Sequence, residues 1–313
     1  MIKLENDKKN TTFLQRLKGI FLLTRPAQLI WLDIFVSLAI YAVIAQHAPT
    51  WHYLLFMSTA IIADAGACTL NDLGDLESDR LSTEGSRSLR PLPTGIITKK
   101  AARNQGIALF IIGLAIAFYL DIFVFLFTLI LVIISYQYSM NPLKLDAKPV
   151  VSQLFWVSFG FLYYFAVAAY IRRYDGLVLE NVYNGLYFLV AILLFIAVGE
   201  TLAKDLRDLE NDRAGGKNTT PVTFGPKRAV LASFIFSFIG LFFWGVPFFT
   251  VLDIPLFFQI LVLFTIIFWN VICFALVRSI FIEYNKEHAR ELHLGFILTF
   301  TVVLSITYFT AII

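Results

Sequence analysis

The sequence predicts an all-α, polytopic membrane protein with nine transmembrane helices. Three observations lead there. Of its 313 residues, 58% are hydrophobic and only 15% are charged, against about 25% charged in a typical soluble domain. Apolar runs recur from about Ala27 to the C-terminus, each near the ~20 residues that a helix needs to cross the hydrocarbon layer. The runs are too long and too uniformly apolar for alternating barrel strands, so the backbone polar groups must be satisfied within helices.

The expected spans lie near 27–46, 51–70, 103–120, 122–140, 150–171, 183–203, 229–248, 256–279 and 292–312. Residues 27–313 form one transmembrane domain, preceded by a segment, 1–26, that is polar and basic and has no signal-peptide pattern. Within it Phe13, Leu14, Leu17, Ile20 and Phe21 share one helical face, with Arg16 and Lys18 elsewhere. That pattern suits a short helix lying on the membrane surface; a solvated tail is the alternative. Cys68 and Cys273 both fall inside expected spans, where two such residues offer neither a disulfide framework nor a metal spacing.

With the N-terminus in the cytoplasm, the inner segments are 1–26 and the loops near 71–102, 141–149, 204–228 and 280–291. With Arg103 and Arg278 assigned to the adjoining inner helix ends, they hold 23 of the 25 Lys and Arg residues, leaving Arg172 and Arg173 outside. The positive-inside rule therefore places the N-terminus and these loops in the cytoplasm and the C-terminus on the opposite side. Membrane lipid accounts for the basic loops, and no nucleic acid is expected.

Two inner loops repeat one pattern. Asn71–Arg80 reads NDLGDLESDR and Lys204–Arg213 reads KDLRDLENDR, identical at seven of ten positions and offset by 133 residues. The offset is four spans, so both copies leave the membrane on the same side. Each holds three aspartates spaced D-x-x-D-x-x-x-D: Asp72, Asp75 and Asp79, then Asp205, Asp208 and Asp212. On one continuous helix, at ~100° per residue, each set stays within about 60° of arc. Stacked like charges repel, so six of them point to bound cations. Magnesium suits hard oxygen ligands shared with substrate phosphates. Arg80, Arg87 and Arg90, then RPLPTG over Arg90–Gly95, follow the first copy, and Arg213 and GGKNT over Gly215–Thr219 follow the second. Such cations can take diphosphate oxygens by charge-assisted hydrogen bonds.

The first motif, with GAC at Gly66–Cys68 before it and RPLPTG after it, resembles the signature of the UbiA superfamily of intramembrane prenyltransferases. KDLRDLENDR with GGKNT resembles that family's second aspartate-rich motif, and YSMNPLK at Tyr138–Lys144 resembles its tyrosine–lysine segment. The RP at Arg25–Pro26 agrees. The resemblance implies nine helices around a central apolar cavity, capped by the two motifs. It implies magnesium-dependent transfer of a prenyl group from an isoprenoid diphosphate to a lipophilic or aromatic acceptor. By matched position, Asp72, Asp75, Asp79, Asp205, Asp208 and Asp212 hold the metal, together with Asn71, which also faces the substrate. Arg87, Arg90, Lys144 and Lys204 are candidates for the diphosphate, and Tyr138 orders the pocket or orients a ligand.

Asp33 and Asp64 fall inside spans, where a carboxylate costs roughly 2.5–3.5 kcal/mol and so faces a cavity or a partner. Asp64 lies eleven residues before Asp75, about 16 Å deeper at ~1.5 Å per residue, and is a catalytic candidate that orients the acceptor or takes its proton. Catalytic candidates are thus Asp64, Tyr138 and Lys144. Two other functions fit parts of the pattern. A terpene cyclase of the same family would use the same metal site without an acceptor. A divalent-cation transporter would more naturally place its ion site at mid-membrane on broken helices.

Overall fold

The computed structural model describes residues 12–81, 88–176, 179–250 and 254–312. The helices in chain order are α1 (Phe13–Leu23), α2 (Pro26–Gln28), α3 (Phe35–Ala45), α4 (Trp51–Gly74), α5 (Leu76–Leu81), α6 (Lys99–Leu120), α7 (Ile122–Ser139), α8 (Val151–Tyr174), α9 (Leu179–Ile192), α10 (Thr201–Arg207), α11 (Leu209–Ala214), α12 (Thr220–Phe224), α13 (Pro226–Thr250), α14 (Leu256–Ile282) and α15 (Lys286–Ile312). No strand occurs among the described residues.

Among the described residues, eight helical stretches are long and apolar enough to cross a membrane. They coincide with eight of the nine expected spans, and the chain is an integral membrane protein. The ninth expected helix, at the first span, is not confirmed by length and composition among the described residues. Residues 26–45 are helical throughout but divided into α2, a π-helical stretch Leu29–Ile34, and α3, so the apolar α-helix left there is only Phe35–Ala45. A second π-helical stretch, Leu193–Glu200, joins α9 to α10. π-Helical turns recur at functional sites, and these two carry Asp33 and Glu200.

Local chemistry sets the helix ends. Thr50 Oγ1 accepts from the Tyr53 amide at 3.2 Å, and Thr98 Oγ1 from the Ala101 amide at 3.1 Å, each satisfying a first-turn donor. Asp121 alone separates α6 from α7; its carboxylate accepts from the Phe123 amide at 2.7 Å, capping the second helix. Thr12 and Gln15 form a reciprocal capping box on α1. The apolar face expected of that helix is exposed, with Phe13 77% and Phe21 60% accessible.

The helix bearing each motif packs hardest against the next long helix: α4 on α6, and α9 with its π-helical extension on α13. Small residues permit both approaches. A Cβ on Gly66 would lie 3.0 Å from the Gly106 carbonyl oxygen, and one on Gly240 would lie 2.9 Å from the Phe195 backbone nitrogen. Helix α3 touches α8, α9 and α15, and the π-helical stretch just before it touches α4, so this first segment links the two groups. Aromatic residues fill the interior, among them Tyr53, Tyr164, Phe195, Trp244 and Trp269. Several of their polar atoms find partners: the Tyr53 hydroxyl donates to the Ser37 carbonyl at 2.7 Å, and the Trp244 indole donates to Thr307 at 2.8 Å, whereas the Trp269 indole nitrogen has none among the described residues. Large apolar side chains on α14, such as Phe257, Phe264 and Phe274, face outward, as a lipid-contacting helix requires.

A Cβ on Gly106 would sit 2.7 Å from Leu70 Cγ, so larger side chains must pry α4 from α6. Gly106→Leu is expected to destabilise the protein by about 1–3 kcal/mol, the usual cost of overpacking. A lowered melting temperature in detergent checks this; an unchanged value contradicts the close packing.

Candidate active site

Each aspartate motif begins on a long helix and ends on a short one. Asp75 (φ −93°, ψ −2°) closes α4 and Asp208 (φ −91°, ψ 1°) closes α10, nearly the same backbone state, in the sparsely allowed bridge region. The expectation that each motif lies on one continuous helix face is therefore corrected: both copies break at the middle aspartate. The i→i+4 hydrogen bonds resume at once, from the Asp79 amide to the Asp75 carbonyl and from the Asp212 amide to the Asp208 carbonyl, both at 2.9 Å. The short helices α5 and α11 that follow are in contact, and a Cβ on Gly215 would lie 2.7 Å from Ser78 Cβ. The two motifs thus cap one end of the bundle together.

A cavity of about 280 Å³ opens between them, lined by Asn71, Asp75, Asp205, Asp208 and Asp212 from the motifs and by Arg25, Arg90, Tyr138, Asp146, Lys204 and Lys217 around them. All six motif aspartates are buried. Arg90 Nη1 donates to Asp72 Oδ1 at 3.2 Å and to Asp79 Oδ2 at 2.9 Å, joining residues on either side of the first break. Arg25 also binds Asp72 through its guanidinium and donates to Asn71 Oδ1 at 2.8 Å. Its left-handed backbone (φ 50°) immediately precedes Pro26, the first residue of α2. Asp205 accepts from Gln153 at 3.0 Å, and Asp212 accepts from the Thr219 hydroxyl at 3.1 Å. Arg207 grips Asp208 with two bonds of 2.8 Å.

Lys217, from the loop behind the second motif, crosses to the first. Its ammonium lies 2.7 Å from Asp75 Oδ1 and 2.9 Å from Asp146 Oδ2. Burial alone would lower the Lys217 pKa, but the two carboxylates outweigh it and hold it well above its ordinary value. Burial likewise opposes the charge on Asp75, yet Lys217 keeps this carboxyl below the usual range. Asp146 is pushed upward, first by burial and then by the Asp75 charge, against the pull of Lys217.

The other sequence candidates are distributed as follows. Lys204 lines the cavity, and its ammonium makes no hydrogen bond or ion pair among the described residues. Tyr138 lines it too, stacked on Phe155 at 4.2 Å between centroids, with its hydroxyl accepting from the Trp156 indole at 3.2 Å. Lys144 instead donates to the Gly74 carbonyl at 3.1 Å, bracing the first break from behind. Arg87 lies outside the described residues. Asp64 lines a side pocket of about 50 Å³, which it shares with Asn71, Tyr138 and Lys204. Its carboxyl lies near that of Asp33 and accepts weakly from the Cys68 thiol at 3.6 Å.

Beneath the polar cavity is a narrow apolar chamber of about 60 Å³, whose walls include Asp33, Val36, Phe159, Tyr163 and Leu193. Trp156 and Ile196 line both spaces and mark the seam between them. Sequence reasoning missed several residues at this site. Arg25 was visible only as half of an RP pair, and Lys217 only as one member of GGKNT. Gln153, Asp146 and His293 carried no local signal at all.

The donor set suits a hard divalent cation. Among the described residues, no three acidic, histidine or cysteine side chains close on one point as a ready-made metal cage. Carboxylates instead line opposite walls of the cavity. Magnesium is usually held this way, by one or two carboxylates together with waters and substrate phosphate oxygens.

A model of the UbiA prenyltransferase family matches residues 34–297. Digeranylgeranylglyceryl phosphate synthase of Thermococcus kodakarensis is 27% identical over 189 residues, 59% of this chain and 61% of that protein. The Pyrococcus furiosus protein of the same name is 30% identical over 178 residues, 56% of this chain and 57% of the other. The match thus spans less than two thirds of the length of either relative. Among solved structures, a UbiA homologue from Archaeoglobus fulgidus bound to DMAPP and Mg2+ superposes with a TM-score of 0.63 at 23% identity, covering 92% of this chain and 99% of that one. A structure from work on digeranylgeranylglyceryl phosphate synthase in membranes gives 0.65 at 20% identity, covering 95% and 99%. At these identities the superpositions establish the fold.

Lys217 neutralises two buried carboxylates, so Lys217→Met is expected to destabilise the protein by up to about 3 kcal/mol. That is the low end for a broken buried pair, because the cavity admits water. Adding Asp146→Asn should restore part of the loss. Melting temperatures of the two variants in detergent decide; equal destabilisation by both would show that the pairing does not hold the motifs together.

Proposed function

The chain belongs to the UbiA prenyltransferase family, and we propose that it transfers a prenyl group from an isoprenoid diphosphate to a lipophilic acceptor with a glyceryl phosphate head. One observation carries this reading above the others. The two motifs break at matched aspartates and face a single polar cavity, lined by carboxylates and cations alike, with an apolar chamber directly beneath it. An amphipathic diphosphate is polar at one end and apolar at the other, and these two spaces match its ends. The acceptor class follows from the relatives named for digeranylgeranylglyceryl phosphate synthesis. An aromatic acceptor has no such support.

In this reading Asp72, Asp75, Asp79, Asp205, Asp208 and Asp212 serve magnesium, whose bound charge offsets that gathering on the departing diphosphate. Lys204, whose ammonium has no ion-pair partner among the described residues, takes diphosphate oxygens, and Arg90, which lines the same cavity, adds its charge. Donors fixed in advance need no reorganisation as the charge develops. Lys144 supports the diphosphate end indirectly through the Gly74 carbonyl. Tyr138 and Trp156 set electron-rich faces where the allylic cation forms; each such contact is worth about 0.5–2 kcal/mol. Asp64, in the side pocket beside Asn71 and Tyr138, orients the acceptor. The motif-bearing end faces the cytoplasm, as the Lys and Arg distribution requires.

The test is incubation of the purified protein in nanodiscs with prenyl diphosphates of several lengths. The acceptors offered are a prenylated glyceryl phosphate and 4-hydroxybenzoate, and products are read by mass spectrometry. An adduct with the glyceryl phosphate, lost on chelation of magnesium, is expected. Asp75→Asn and Asp208→Asn should each lower its rate by about 10²–10³-fold, the usual cost of removing one preorganised electrostatic group. A cyclic hydrocarbon formed from the diphosphate alone would instead make the protein a cyclase.

A further inference from the structure

Prenylation of an acceptor releases a proton, and the function proposed above, which leaves Asp64 only the orienting of the acceptor, gives it no destination. The group that receives it must lie near the allylic carbon C1, where the diphosphate joins the prenyl chain. With the chain in the apolar chamber and the head between the motifs, C1 falls at the seam marked by Ile196 and Trp156. Glu200 lies one helical turn beyond Ile196, at the last position of the π-helical stretch, and lines the polar cavity. It is buried, as is His293 from α15, which lines the same cavity.

The hydrogen bonds fix the state of this pair. Arg207 Nη1 lies 3.1 Å from His293 Nδ1, and His293 Nε2 lies 2.8 Å from Glu200 Oε1. A guanidinium can only donate, so Nδ1 must offer its lone pair and the imidazole proton sits on Nε2. His293 is therefore a neutral donor aimed at a carboxylate acceptor. Glu200 Oε2 makes no hydrogen bond among the described residues. One carboxylate oxygen is held, and the other has no hydrogen bond among the described residues, on the wall of the polar cavity one turn from Ile196 at the seam. A base oriented by a neighbour that is itself held in place is a recurrent arrangement in proton-transfer catalysis.

We propose that Glu200 is the base that takes the acceptor's proton, and that His293 positions it. This rests on transfer to a hydroxyl-bearing acceptor as the reaction. In the step, the C1–O bond to the diphosphate breaks and its electron pair leaves with the diphosphate. The acceptor oxygen forms a new bond to C1. Its O–H proton passes to Glu200 Oε2, the O–H electrons remaining on oxygen. The proton then leaves to water in the cavity, restoring the carboxylate. Asp64, which lines the side pocket and not the polar cavity itself, keeps the orienting role.

The experiment uses the full chain in nanodiscs with geranylgeranyl diphosphate, a geranylgeranylated glyceryl phosphate and magnesium. Glu200→Gln preserves an acceptor for His293 but cannot hold the proton. It should bind geranylgeranyl diphosphate as the wild type does, while transfer falls by about 10²–10⁴-fold, the range for loss of a general base. His293→Gln keeps a donor near the Nε2 position and His293→Phe removes it. The first should retain most of kcat and the second should lose it, with KM for the diphosphate unchanged in both. Transfer within threefold of wild type in folded Glu200→Gln overturns the proposal. If that variant does not fold, equal transfer by the two His293 variants overturns it instead. A wild-type protein that forms no acceptor adduct overturns the hydroxyl-transfer reading and this proposal with it. An adduct formed equally well by wild type and Glu200→Gln overturns only the role of Glu200.

Discussion

Six buried carboxylates at one end of an apolar bundle set the terms for everything around them. A buried charge without a partner is among the costliest features a fold can carry, and here each carboxylate has been given one. Asp72 and Asp79 share Arg90, and Asp72 also takes Arg25. Asp75 takes Lys217, Asp205 takes Gln153, Asp208 takes Arg207, and Asp212 takes Thr219. These partners come from different stretches of chain: the turn before the first span, the loop ahead of α6, helix α8 and the loop behind α11. Charge compensation therefore does structural work well beyond the site. It gathers segments that apolar packing in lipid would leave free to slide, because helix faces that see only lipid or each other gain little from choosing between the two.

The same arrangement suits a site that must accept a more highly charged guest. Lys217 spans Asp75 of one motif and Asp146 of another loop, so the two halves of the cavity are already linked. The Lys204 ammonium has no ion-pair partner among the described residues. An anion arriving with divalent cations adds charges of both signs, and the cavity offers both. Its carboxylates are dispersed rather than collected, which favours shared coordination with the ligand over capture of a metal alone.

Much of this was legible in the sequence because two of its signals are local. Hydropathy locates spans within a few residues, since lipid forces each crossing to satisfy its own backbone. The duplicated motif announces itself by identity. What failed was the extension of a local rule: spacing of three and seven describes one face only while the helix continues. Gly74 gives a hint of a break in the first copy, because a Cβ there would lie 2.5 Å from the Ser139 carbonyl oxygen. The second copy has Arg207 at the matching position and breaks in the same way, so glycine is not the cause. The π-helical turns were hidden for a similar reason. Nothing in an apolar run marks one residue more per turn, although Asp33 and Glu200 stand out as acids where apolar residues were expected. Contacts such as Glu200 with His293, 93 residues apart, leave no trace in any window of sequence.

Divergence between the two copies is informative because their backbones are so alike. The first copy has Asn71 and Gly74 where the second has Lys204 and Arg207. Gly74 lets Ser139 approach closely and leaves its carbonyl for Lys144, and the cations that neutralise the first copy come from elsewhere in the chain. Arg207 makes the second copy supply its own cation, and that guanidinium reaches past Asp208 to His293 and so toward Glu200. The first copy is thus built into the surrounding frame, while the second extends a hydrogen-bonded chain from the motif down to the seam with the apolar chamber. If the copies arose by duplication, the difference follows from the reaction itself. A leaving group needs charge on both sides of it, but a proton has to leave on only one.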